Sequence, residues 1–150
     1  MIVETINVLE ATSYFWKHSR RITYNNWPFK ESDNCSADCM AAAGFYVIGN
    51  DDEPDLVECF ICGKQLNGWE PSDDPWEEHE KHQSKCPFVK LNKPNEMDWT
   101  VEELYDMYKQ YKMKEYVDKL NKEMNMVKDE MIKLTKELYD CKKSQKNKSN

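Results

Sequence analysis

Cys59-x2-Cys62-x16-His79-x6-Cys86 is the pattern that most limits how this 150-residue chain can fold. Two cysteines on a tight turn, joined by a histidine and a cysteine from a later segment, offer three sulfurs and one nitrogen. That is the number and softness of donors a tetrahedral zinc ion takes. Such a set saturates the ion and leaves no position for a reactive water, so the expectation is one structural zinc held by Cys59, Cys62, His79 and Cys86. The plain alternative, ordinary core cysteines and a surface histidine, does not explain why all the spacings agree. Cys35 and Cys39 form a looser CxxxC with no other obvious ligands, which reads as free thiols ahead of a second metal site. His82, three residues after His79, is placed to exchange with it as a ligand, whereas His18 lies far from the cluster.

Six cysteines are few for a secreted disulfide scaffold, and half of them fall at metal-ligand spacing, which favours a reducing compartment. No apolar run of about 18 residues occurs, and Met1 to Trp16 shows no basic cluster ahead of an apolar stretch, so neither a membrane span nor a secretory leader is expected. Charge is divided unevenly. Residues 1–99 carry 9 Lys or Arg against 18 Asp or Glu, and residues 100–150 carry 12 against 10. An acidic domain repels phosphate backbones and attracts basic segments, so no direct nucleic-acid binding is expected of residues 1–99. A basic protein tail suits that surface.

The four glycines and six prolines all lie at or before Pro94, and the chain changes character there. Ahead of it, Gly44 to Ile48 and Leu56 to Ile61 have the short apolar runs of strands in a small antiparallel sheet, with Asn50 to Pro54 as the turn between them. Ala37 to Ala43 and Pro75 to Gln83 read as short helices, the second opened by Asp73 or Asp74 with proline in its first turn. After it, Thr100 and Glu103 form a capping-box pattern, and one helix of roughly 40 residues would span about 60 Å. Met113, Val117, Leu120, Met124, Val127, Met131, Leu134, Leu138 and Cys141 recur at alternating spacings of four and three, a heptad seam.

An upstream set, Val101, Leu104, Tyr108 and Tyr111, is out of phase with that seam, and Tyr116, Ile132 and Tyr139 widen it enough to suggest more than one partner helix. The class is therefore α+β, a small zinc domain followed by a long helix. The expected segments are an N-terminal stretch over 1–14, the zinc domain over 15–90, a linker over 91–99, the helix over 100–142 and a frayed tail over 143–150.

The residues around the ligands carry a resemblance. Arg20-x2-Thr23-Tyr24-x2-Trp27-Pro28, Ala43-Gly44-Phe45-Tyr46 and Asp55-x-Val57-x-Cys59-Phe60-x-Cys62 are followed by Gly68-Trp69-Glu70, Asp73-Asp74-Pro75-Trp76-x-Glu78-His79 and Cys86-Pro87-Phe88. Together they resemble the baculovirus-repeat (BIR) family over about residues 15–90. One such domain followed by a long helix, without further RING ligands, resembles the single-BIR branch.

The family resemblance implies a three-stranded sheet with short helices. It also implies a groove in which a peptide with a free N-terminal alanine adds a strand beside Lys64 to Gly68. Leu66 and Trp69 match its pocket, and Asp73 an amine-binding carboxylate. In the single-BIR branch, Lys64 and His82 match the positions that hold a phosphothreonine in a histone N-terminal tail, and Glu53 and Asp55 would face the basic residue after it. Asn67 stands where that branch has a second acidic amine ligand, and Ser72 replaces an aspartate. Without the resemblance, Leu66 and Trp69 could equally be core, Lys64 and His82 solvated surface, and Trp76 packing.

The resemblance further implies a non-enzymatic subunit of the chromosomal passenger complex. Its helix would pack, through Val101, Leu104, Tyr108 and the seam from Met113 to Leu138, with borealin-like and inner-centromere-protein-like helices, bringing an Aurora-type kinase to centromeres. Localisation would be nuclear and cytoplasmic, at centromeres in early mitosis and at the spindle midzone and midbody later. A homodimer near Phe15, Trp99, Val101 and Leu104 is implied as well. The alternative is an apoptosis-inhibiting adaptor that binds alanine-first peptides of death-protein antagonists or inhibits caspases.

Overall fold

The computed structural model describes residues 13–146, with side chains to residue 143, so the expected 1–14 segment lies almost wholly outside the described residues, as does the end of the 143–150 tail. The chain divides into two compact units, one ending at Lys114 and one beginning at Glu115.

In the first unit, α1 (Lys17–Ile22) and α2 (Ala37–Ala42) precede a sheet of β1 (Phe45–Val47), β2 (Val57–Cys59) and β3 (Gln65–Leu66). There follow α3 (Pro75–Gln83), α4 (Pro87–Leu91), a 3-10 turn over Glu96–Asp98 and α5, which starts at Val101 and runs to Lys146. The strands are antiparallel in the order β1-β2-β3, with Phe45 opposite Cys59 and Val57 opposite Leu66. Phe45, Val57, Cys59, Phe60 and Phe88 are fully enclosed and form the centre of the core.

Local chemistry explains where the elements begin and end. Asp74, rather than Asp73, caps α3: its Oδ1 accepts from the N–H groups of Trp76 (2.8 Å) and Glu77 (3.1 Å). The capping box of α5 forms as the sequence implies, with Thr100 N–H donating to Glu103 (2.7 Å) and Glu103 N–H to the Thr100 hydroxyl (3.2 Å). Gly44 turns α2 into β1 at φ 92°, and a Cβ there would stand 2.9 Å from the Phe88 ring, so glycine is required on both counts. The third strand is shorter than Lys64 to Gly68 because Gly68 adopts φ 75° and leaves the ladder.

Three elements have no clear signal in the sequence: α1, α4 and the 3-10 turn. They are held by tertiary contacts. Arg20 of α1 has no exposed surface. Its guanidinium donates to the carbonyls of Tyr14, Phe15 and Ala41 and pairs with Glu96 at 3.0 Å, while lying 4.2 Å over the Phe60 ring. Burial lowers its pKa, and the Glu96 charge works against that. Glu96 also accepts from Lys17 N–H at 2.6 Å, so one carboxylate ties the linker to α1.

Leu104 and Tyr108, expected on the partner-helix face, are half-buried and pack against this chain's own core beside Met107 and Tyr111. Phe15 joins them, with ring centroids 5.5 Å from Tyr108 and 5.9 Å from Trp99. The phase shift between the two apolar sets on α5 has this cause: the first turns serve the domain core. Val101 points elsewhere and is exposed.

Removing one member of a buried ion pair leaves an uncompensated charge. Glu96→Ala is therefore expected to destabilise the metal-loaded domain by about 3–5 kcal/mol in urea unfolding. A loss under about 1 kcal/mol, the scale of an exposed pair, would contradict this role.

Candidate metal centre and peptide groove

Cys59 ends β2, Cys62 follows on the turn that Gly63 closes at φ 69°, His79 lies in the middle of α3, and Cys86 is the N-cap of α4. Their ligand atoms all lie within 4.8 Å of one another. Cys59 Sγ is 4.0 Å from Cys86 Sγ, and Cys62 Sγ is 3.5 Å from His79 Nε2. A tetrahedron with ordinary zinc–sulfur and zinc–nitrogen lengths has edges of about 3.8 Å and about 3.6 Å, so these residues fit one zinc ion. Cys59, His79 and Cys86 are buried and Cys62 half-buried, which closes the site to a substrate.

The surroundings prepare the donors. His79 Nδ1 donates to the Ala43 carbonyl at 2.8 Å, which turns Nε2 toward the cysteines and fixes the neutral tautomer a metal needs. Ile61 N–H points at Cys59 Sγ (3.4 Å). Burial pushes the Cys59 thiol well up, while hydrogen bonds from Cys59 and Cys62 hold Cys86 well below the thiol range. Burial opposes charge on His79, yet its bonds to Cys62 and Cys86 raise it to about 9. A dication in the centre favours thiolate at all three sulfurs and the neutral imidazole.

Among the described residues no other group of Cys, His, Asp and Glu gathers in this way. Cys35 is buried, with its thiol on the Glu70 carbonyl at 3.2 Å, and Cys39 is exposed, so the two stand as free thiols. His82 does not exchange with His79. It is exposed and lies 3.2 Å from Glu78, one turn back on α3.

The predicted groove residues have varied surroundings. β3 is the last strand in the sheet order, and among the described residues its outer edge has no strand partner. Lys64, just before it, is half-buried, and Leu66 is half-buried and packed on the core. Trp69 is buried, 5.7 Å from Phe45 between ring centroids, and its indole N–H is one of two buried polar side-chain atoms among the described residues without a hydrogen-bond partner. Asn67 and Glu53 are exposed.

Two carboxylates have structural work that the sequence did not reveal. Asp55 accepts from Gly68 N–H (2.7 Å) and Trp69 N–H (3.1 Å), fastening the chain as it leaves β3. Asp73 accepts from Glu70 N–H at 2.7 Å. Trp76 packs on Phe88 at 5.3 Å, which settles it as packing.

Sequence reasoning also missed Glu58, which faces the opposite side of β2 from Val57 and Cys59. It accepts from Tyr46 (2.6 Å), Gln65 (2.8 Å) and Lys114 (2.7 Å). Burial raises its pKa, but these bonds outweigh that and leave it lowered. An acidic residue inside an apolar strand, Val57-Glu58-Cys59, was the available signal.

Replacing Cys62 by Ser should lower zinc content from one per chain and unfold the domain, because a structural zinc contributes folding energy outright. Elemental analysis and thermal melts check this. A Cys62→Ser protein with the parent's full melting temperature would contradict it.

Comparison with known proteins agrees with this geometry. The model of the BIR family, the inhibitor-of-apoptosis domain, matches residues 20–90. Baculoviral IAP repeat-containing protein 5 of Rattus norvegicus is 45% identical over 96 residues, covering 64% of this chain and 67% of that protein. Baculoviral IAP repeat-containing protein 5.2 of Xenopus tropicalis is 37% identical over 123 residues, covering 77% and 78%. For the related 5.2-A protein of Xenopus laevis, 49% identical, the match spans half of that protein's length. A solved structure of DIAP1 BIR1 bound to a Grim peptide is similar over 52% of this chain and 74% of that one, with 27% identity and a TM-score of 0.44. With a Cys3His set that fits zinc and a matching BIR segment, the chain belongs to the baculoviral IAP repeat family as a survivin homologue carrying a BIR domain.

Proposed function

We propose that the chain is a non-enzymatic adaptor of the chromosomal passenger type. Its BIR domain reads a histone N-terminal tail phosphorylated on threonine. Its long helix assembles with borealin-like and inner-centromere-protein-like helices, and so brings an Aurora-type kinase to centromeres for chromosome segregation and cytokinesis. On this reading it resides in nucleus and cytoplasm, concentrating at centromeres in early mitosis and at the spindle midzone and midbody later.

The observation that carries the peptide half is the outer edge of β3, which no strand among the described residues pairs, with Lys64 just ahead of it. An extended peptide gains backbone hydrogen bonds there, and a lysine with a protonatable histidine suits phosphate. The excess of carboxylates in residues 1–99 suits a basic tail. The scaffold half rests on the seam residues from Val117 to Leu138, all of them exposed. Similarity to survivin proteins supports both halves.

One observation favours a second reading. Glu78 lies 3.2 Å from His82 and competes with a phosphate for it. Unmodified alanine-first peptides of death-protein antagonists are the ligands such a groove would prefer, which makes the chain an apoptosis-inhibiting adaptor.

Titration calorimetry of the metal-loaded protein with a histone N-terminal peptide, with and without phosphate on its third residue, a threonine, separates the two. The proposal expects the phosphorylated peptide to bind at least tenfold more tightly and Lys64→Ala to abolish that preference. Equal binding of the two peptides, with an alanine-first antagonist peptide binding more tightly, would overturn it.

A further inference from the structure

Of the asparagines in this chain, Asn67 alone precedes a glycine. In such a pair the asparagine side chain and the next backbone nitrogen can close a five-membered ring, and glycine has no Cβ to crowd the approach. The fold leaves this pair open. β3 ends at Leu66, so Gly68 lies beyond the ladder, and both Asn67 and Gly68 are exposed. Among the described residues, no atom beyond the chain neighbours comes within 4 Å of where a Gly68 Cβ would stand.

Asp55 restrains the nitrogen that would attack. Its Oδ2 accepts from Gly68 N–H at 2.7 Å and from Trp69 N–H at 3.1 Å. For the ring to close, Gly68 N must give up that proton and turn toward Asn67 Cγ, which a bond to a charged acceptor opposes.

We propose that Asn67 is a self-modifying site, guarded by Asp55, whose conversion to aspartate or isoaspartate adds a negative charge at the exit of β3. Gly68 N bonds to Asn67 Cγ and loses its proton, the bond from Cγ to the side-chain nitrogen breaks, and that nitrogen leaves as ammonia. Water then opens the cyclic imide. Cleaving the new bond gives aspartate, and cleaving the original peptide bond leaves the chain running through Cγ as isoaspartate. One water is consumed and one ammonia released, with no oxidant or reductant.

Either product sets a second carboxylate beside Asp55. Two carboxylates there attract the free amine and basic side chains of a peptide lying along β3. This effect on peptides rests on the groove reading given above, whereas the modification itself does not.

The test ages the full-length, metal-loaded chain at neutral pH and reads each asparagine by peptide mass spectrometry, with zinc content and circular dichroism confirming that the domain stays folded. Asn67 should convert ahead of the exposed Asn25, Asn26 and Asn50, each of which precedes a residue with a side chain. Asn67→Gln, which cannot close a five-membered ring, should stay unmodified at that position. Asp55→Ala should convert about tenfold faster, the rate equivalent of one charge-assisted bond. Asp55→Asn keeps an acceptor oxygen and should fall between, which preserves the test if the alanine variant loses its zinc. In calorimetry, Asn67→Asp should bind an unmodified alanine-first peptide about two- to fivefold more tightly than the parent.

Conversion of Asn67 no faster than of the other exposed asparagines would overturn the proposal, as would conversion confined to chains that have lost zinc. Equal rates in the parent and both Asp55 variants would overturn the guarding role. An Asn67→Asp chain with the parent's peptide affinity would overturn the effect on the groove. If none of these chains binds peptide, the groove reading fails, and the mass spectra still decide the modification.

Discussion

The bond set at Cys59, Cys62, His79 and Cys86 is what the rest of the domain depends on. The strands are two or three residues long, and α2 and α4 have only six and five residues, so none of these elements is stable by local propensity. A zinc-sized cluster joins the end of β2, the turn after it, the middle of α3 and the cap of α4. Small domains bury too little apolar surface to stand without such a staple. The Ala43 carbonyl that orients His79 lies at the end of α2, so the donor set also reaches back to the start of the sheet.

The second constraint is Arg20. A guanidinium with no exposed surface is costly unless every donor is used, and here three carbonyls, Glu96 and the Phe60 ring receive it. It connects the segment before α1, the end of α2 and the linker after α4. The first turns of α5 complete the same core through Met107 and Tyr111. One helix thus carries two kinds of apolar residue. Those up to Tyr111 belong mostly to the domain, and the seam residues from Val117 to Leu138 are exposed.

The features set by fixed chemistry were legible in the sequence. Metal-ligand spacing located the centre, proline with aspartate located α3, and the Thr100–Glu103 box located the start of α5. Elements made by tertiary contact were not legible. The six residues of α1 carry no apolar period because their chief buried side chain is an arginine. That Leu104 and Tyr108 also pack on the domain's own core was not legible, because sequence pattern does not say which surface an apolar stripe covers. Asp55 and Asp73 looked like ligand-facing carboxylates, yet each accepts from backbone N–H groups of this chain. The Asp55 bonds join residues 13 and 14 positions apart and depend on where Gly68 turns, which no period encodes.

The account stands on a zinc centre of three sulfurs and one nitrogen, closed by burial, whose ligands flank β3. X-ray absorption at the zinc edge of the purified full-length chain tests this most directly. The account predicts a four-coordinate shell with zinc–sulfur at about 2.3 Å and one nitrogen at about 2.0 Å, unchanged when peptide is added. An oxygen from water in the shell, fewer than three sulfurs, or a shell that rearranges on adding peptide would contradict it.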